Sequence, residues 1–126
     1  YDFGVGELGE APGAFRCPHA VAVAAGGRVV VADRDNDRLQ VFAPDGRLLG
    51  VRRGFVRPMA IAIDRAGWLW VTDQVPSLHR LALDGTAHTR ARPAANTPHG
   101  LSLADDGTIY LVEMNPPSVV RLRPLA

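Results

Sequence analysis

Short runs in which every second residue is apolar recur along the chain, and none of them keeps a helical period. PHAVAVAAGG begins at Pro18, PMAIAIDRAG at Pro58 and PHGLSLADDG at Pro98. Within them Val21 and Val23, Ile61 and Ile63, and Leu101 and Leu103 alternate with small or polar residues. Period-two alternation of this kind predicts a strand with one face in a core. Each run ends at a glycine (Gly27, Gly67, Gly107), the signal of a tight reversal, and a second apolar run follows at once. These second runs, at 28–33, 68–73 and 108–113, end on Asp33, Asp73 and Glu113. Third strands are expected at 38–42, 78–82 and 119–122. Weaker fourth strands are expected at 47–51 and 86–90, entered through the turns Pro44-Asp45-Gly46 and Leu83-Asp84-Gly85. The third copy has no run matching a fourth strand.

The copies keep one ruler. Pro18, Pro58 and Pro98, then Gly27, Gly67 and Gly107, then Asp33, Asp73 and Glu113 are each spaced by 40 residues. Four short antiparallel strands per unit of about 40 residues is the signature of a β-propeller blade. The expected organisation is the tail of a preceding blade with a Gly/Pro-rich link at 1–13, then blades at 14–54, 55–94 and 95–126, the last incomplete. The fold class is all-β. Three blades leave a ring open, because propellers typically have about four to eight. The chain therefore reads as part of a longer propeller, or as half of a six-bladed ring completed by a second copy.

Composition narrows the partners. Of 126 residues 47% are hydrophobic and 21% charged, which is globular. The formal net charge is +1, without the basic excess that a nucleic-acid or membrane-surface binder needs, so neither partner is expected. All 14 basic residues are Arg, a bias that weakens any single Arg as a site signal. A lone cysteine, Cys17, excludes an internal disulfide and a Cys-rich zinc site. We expect it as a small buried thiol.

The stretches Phe15-Arg-Cys-Pro-His-Ala-Val-Ala-Val23 and Val31-Ala-Asp-Arg-Asp-Asn-Asp-Arg-Leu-Gln-Val-Phe42 resemble the NHL repeat. The other two blades match more loosely. The resemblance implies a propeller, six-bladed in the usual case. Within that group the chain looks most like the peptidyl-α-hydroxyglycine α-amidating lyases, in which Pro-His pairs of alternate blades hold an axial zinc ion. On that resemblance His19 and His99 would be zinc ligands and Arg34 a catalytic residue that holds a carboxylate. The intervening blade has Met59 where the others have His. The implied activity is release of glyoxylate from a C-terminal hydroxyglycine, with a peptide or small molecule in the central channel.

The residues also have a geometric logic of their own. The first position of each innermost strand faces the channel, so His19 and His99 converge there and, with a third ligand, would leave zinc an open position. The alternative is a propeller without chemistry that binds a protein, peptide or sugar. On that reading Arg34 is an ion-pair partner of Asp33 or Asp35 in the outer turn. Asp33, Asp73 and Glu113 recur in every copy and are expected to accept backbone N–H groups in the turn after the second strand. His79 and His88 fall off the repeating positions and are expected on the surface.

Overall fold

A computed structural model of the chain describes residues 2–125. Its strands are β1 (Pro18–Val23), β2 (Val29–Asp33), β3 (Arg38–Phe42) and β4 (Leu48–Arg52), then β5 (Ala60–Ile63), β6 (Leu69–Asp73), β7 (Ser77–Leu81) and β8 (His88–Ala91), then β9 (Pro98–Leu103), β10 (Ile109–Met114) and β11 (Pro117–Leu122). They form three antiparallel meanders, β1-β2-β3-β4, β5-β6-β7-β8 and β9-β10-β11. These are the blades of a β-propeller: the fold is all-β, as expected.

The first hairpin of every blade is built the same way. Ala24, Asp64 and Ala104 each donate their N–H to the carbonyl of the residue four positions on, Arg28, Trp68 and Thr108. The glycine in the last turn position has φ of 73° in Gly27, 87° in Gly67 and 83° in Gly107, a region that costs other residues energy. In blade two the carboxylate of Asp64 secures this turn, accepting from the N–H groups of Ala66 and Trp68 and from Trp70 Nε1.

Alternation decides which blade each residue meets. From the first blade, Ala20, Val30, Ala32, Leu39 and Val41 pack against Ile61, Ile63, Leu69, Val71 and Leu81 of the second. The opposite face of the second blade, with Trp70 and Leu78, packs against Leu101, Leu103, Ile109, Leu111, Val120 and Leu122 of the third. Each blade thus presents a forward face to its successor and a backward face to its predecessor. The innermost strand shows the division plainly. Its forward residues are small (Ala20 and Ala22, Ala60 and Ala62), and its backward residues are aliphatic (Val21 and Val23, Ile61 and Ile63, Leu101 and Leu103). Strands β1, β5 and β9 lie side by side at the axis.

Candidate functional site

The axial end begins with the prolines. Pro18 and Pro98 start β1 and β9, where a missing N–H costs nothing in the ladder, and the residue after each is the first to reach the channel. The imidazoles of His19 and His99 meet there edge to face, with ring centroids 4.9 Å apart. His19 Nδ1 lies 2.7 Å from the carbonyl oxygen of Met59. A carbonyl only accepts, so Nδ1 carries the proton and Nε2 of neutral His19 keeps its lone pair. Met59 itself is buried. Beside this pair Met59, Gln74, Thr97, Pro98, His99 and Met114 enclose a cleft of ≈ 220 Å³ between the second and third blades.

A catalytic zinc site takes three protein ligands. At the equivalent position the second blade has a thioether, Met59, and not an imidazole. Among the described residues, no three His, Cys, Asp or Glu side chains are grouped as metal ligands. The donor set on this chain is two imidazoles, one short of a catalytic zinc centre.

Arg34 sits in the turn after β2, at the blade end shared with Pro18, since Pro18 pairs with Asp33 in the ladder. Its Nε is 3.1 Å from Asp35 Oδ1. The contact is an ion pair without hydrogen-bond geometry, so Nε is buried with no hydrogen-bond partner. Asp33 is paired elsewhere.

The three repeating acids do structural work, with donors partly other than expected. Asp33 Oδ1 accepts the N–H of Arg16 at 2.8 Å, and Asp73 Oδ2 that of Val56 at 3.0 Å. Glu113 accepts from Asn96 in the same way. The donor is each time 17 residues upstream, in the segment that leads into the innermost strand, rather than only in the following turn. Each acid therefore ties the entry of its blade to the end of its second strand. The expected turn bond is also made at Asp73, which accepts the N–H of Ser77. Asp33 is buried with Arg38, whose Nε donates to Oδ2 at 2.7 Å, and Gln40 and Asn36 complete the shell. A hydrogen bond from the Ser118 hydroxyl, opposed by burial and reinforced by the N–H groups of Asn96 and Thr97, holds the Glu113 carboxyl below its usual range.

Two expectations are corrected. His79 is not a surface residue: it is fully buried, with Nε2 2.9 Å from Asp73 Oδ2 and Nδ1 2.9 Å from His88 Nε2. The cause is a turn one residue shorter in the second blade, where Asp73 pairs with Ser77 while Asp33 pairs with Arg38. The ruler slips there by one, and His79 takes the place of Gln40. Both reach the repeating acid. His88, on the exposed strand β8, is as expected. Cys17 is the second correction. It is exposed, with φ of 54°, because the chain turns sharply before Pro18 and carries the thiol outward.

Comparison with known proteins agrees with this repeat architecture. Residues 15–42 match the NHL repeat. This chain carries an NHL repeat. Human E3 ubiquitin-protein ligase TRIM32 is 30% identical to it over 128 residues, which cover 87% of this chain and 20% of that protein. Protein brain tumor of Drosophila melanogaster is 31% identical over 120 residues, 86% of this chain and 12% of that one. NHL repeat-containing protein 3 of Mus musculus is 56% identical over 46 residues, 36% of this chain and 13% of that protein. This chain thus spans about a fifth or less of the curated relatives it matches. Among solved structures, virginiamycin B lyase from Staphylococcus aureus superposes with a TM-score of 0.68 at 16% identity, over 86% of this chain and 42% of that one. A protein of unknown function from Bacteroides caccae superposes with a TM-score of 0.72, also at 16% identity, over 82% of this chain and 44% of that one. At that identity the likeness carries the propeller fold and nothing of the activity.

Proposed function

We propose that these blades belong to a binding module that takes up a peptide segment of a partner protein at the axial end, without chemistry. The observation that carries the reading is the cleft beside His99. Two methionines, Met59 and Met114, face a proline and a histidine across a space of ≈ 220 Å³, with Gln74 and Thr97 as polar partners. Thioethers are polarisable and change rotamer cheaply, so such a lining accepts an apolar side chain of varied shape while the amide and hydroxyl fix its backbone. The likeness to a ubiquitin-protein ligase supports it too, since such an enzyme acts on proteins.

The test is selection of binding peptides from a displayed random library against the chain, followed by affinity measurement on the strongest. Met114 is 54% exposed, so Met114→Lys leaves the core alone. We expect it to weaken binding about tenfold or more, about 1.4 kcal/mol. Affinity untouched by Met114→Lys and by His99→Ala would contradict the reading.

One observation favours a second reading, the zinc-dependent amidating lyase: His19 and His99 do meet at the axis, and His19 is oriented by a carbonyl as a zinc ligand commonly is. His19 and His99 would hold the ion and Arg34 a carboxylate. The donor set falls one ligand short, and no step is derived through the metal. Equimolar zinc retained after dialysis, lost in His19→Ala, together with glyoxylate released from a peptidyl α-hydroxyglycine, would decide for this reading over the first.

A further inference from the structure

The outer half of the second blade carries a pair of side chains that the repeat does not call for. Val31, Val71 and Leu111 on the second strands pair with Gln40, His79 and Val120 on the third, so these three residues are equivalent. Gln40 satisfies the repeating acid with an amide, and Val120 makes no polar contact of that kind. One strand further out, His88 stands across from Leu81, where the first blade has Leu48 across from Phe42. Neither the fold nor the acid therefore requires two imidazoles here.

Their geometry points to a ligand. His79 is fully buried and both its ring nitrogens are aimed. Nε2 donates to Asp73 Oδ2 at 2.9 Å, and Nδ1 faces His88 Nε2 at 2.9 Å. A carboxylate on the far nitrogen fixes the ring and raises the basicity of the near one, the support that metal-bound imidazoles commonly have. Phe55, itself buried, packs against both rings, with centroids 4.7 Å from His79 and 5.2 Å from His88. Zn–N bonds of about 2.0–2.1 Å at a tetrahedral angle set two nitrogens roughly 3.3–3.4 Å apart, so His88 has to withdraw by about half an ångström. It is free to do so, because β8 is an edge strand with four exposed residues. Beside the rings Gly54, His79, His88, Thr89 and Arg90 line an open cleft of ≈ 180 Å³, room for water ligands. Gly54 keeps that room, since a Cβ there would lie 3.3 Å from His88 Cε1.

We propose that His79 Nδ1 and His88 Nε2 bind one zinc-type divalent cation, with water in its remaining positions, and so clamp the edge strand β8 to β7. The cation takes the place of the proton shared between the two nitrogens. That proton moves to His88 Nδ1, both imidazoles stay neutral, and none is released. Among the described residues no third His, Cys, Asp or Glu joins the pair, so the ion is held exchangeably, unlike one in a four-ligand structural site. Imidazole donors suit zinc, copper and nickel, whereas magnesium takes oxygen ligands. Arg90, paired with His79 across the strands, opposes the cation, and the Asp73 carboxylate behind His79 favours it.

Zinc titration of the full chain, followed through the ring signals of nitrogen-15 histidine, tests the proposal. The chain has only four histidines, so each is read separately. The tightest-bound zinc should move His79 and His88 and leave His19 and His99 in place, and magnesium should move none. By equilibrium dialysis that zinc should bind about tenfold or more weakly to His88→Gln and unchanged to His19→Ala. Position 88 is exposed, so circular dichroism of His88→Gln should match the parent. Zinc that moves His19 and His99 first, an affinity indifferent to His88→Gln, or His79 and His88 signals that zinc leaves unmoved would each overturn it.

Discussion

Asp33 and Arg38 are buried to 0% and 1% exposure, and removing either leaves the other's charge stranded. Arg38→Met is expected to cost about 3–5 kcal/mol in urea denaturation, because the Asp33 carboxylate loses its counter-ion and keeps its burial. The pair His79 and His88 answers to pH instead. Asp73 only accepts, so His79 donates from Nε2, and His79 Nδ1 and His88 Nε2 share one proton between them. Burial of His88, with the charges of His79 and Arg90 beside it, holds its pKa below the usual value. Unfolded histidine titrates near 6.5, so as the pH falls through about 6.5 the unfolded chain binds a proton that the folded one refuses. Stability is therefore lost on the acid side. Thermal melts of His88→Gln should show a shallower fall in Tm between about pH 7 and 5 than the parent. The acids of this scale were legible because they repeat. Their upstream donors were not, since no pattern in a sequence says which distant N–H a carboxylate faces. His79 was hidden for a simpler reason: a turn shortened by one residue displaces it from the 40-residue ruler on which the comparison of blades relied.

Each strand and hairpin followed from alternation and glycine. The first blade's strands lie within one residue of their expected limits, because Val, Leu and Phe alternate there between two well-marked turns. Larger differences fall where alternation is weak. Strand β8 starts at His88 rather than Thr86, on an edge with four exposed residues in which nothing apolar pins the register. Two substitutions probe this scale. Gly67 has φ of 87° and open space where a Cβ would be, so Gly67→Ala isolates backbone strain and should cost about 1–2 kcal/mol in the same denaturation. Leu39 is fully buried in the interface of the first two blades, and Leu39→Ala should cost about 2–5 kcal/mol. Equal costs for the two would mean that the blade interface is looser than the packing described here.

The radial array of sheets was readable from period alone, and with it the convergence of the first residue of each inner strand on the axis. The cleft was not readable. It depends on Gln74 and Met114, which follow the repeating acids by one residue and come to the axial end only because the second strand of each blade stops there. A single spacing cannot show that Met59, placed between two histidines, and Met114, one blade on, would face one space. That space is the core of the functional reading, and it makes no use of a metal. The most direct measurement is therefore calorimetric titration of a library-selected peptide into the chain, with and without a strong zinc chelator. Equal affinity in both, lost in Met114→Lys, is the result expected here; affinity that vanishes with the chelator and is indifferent to Met114→Lys would contradict it.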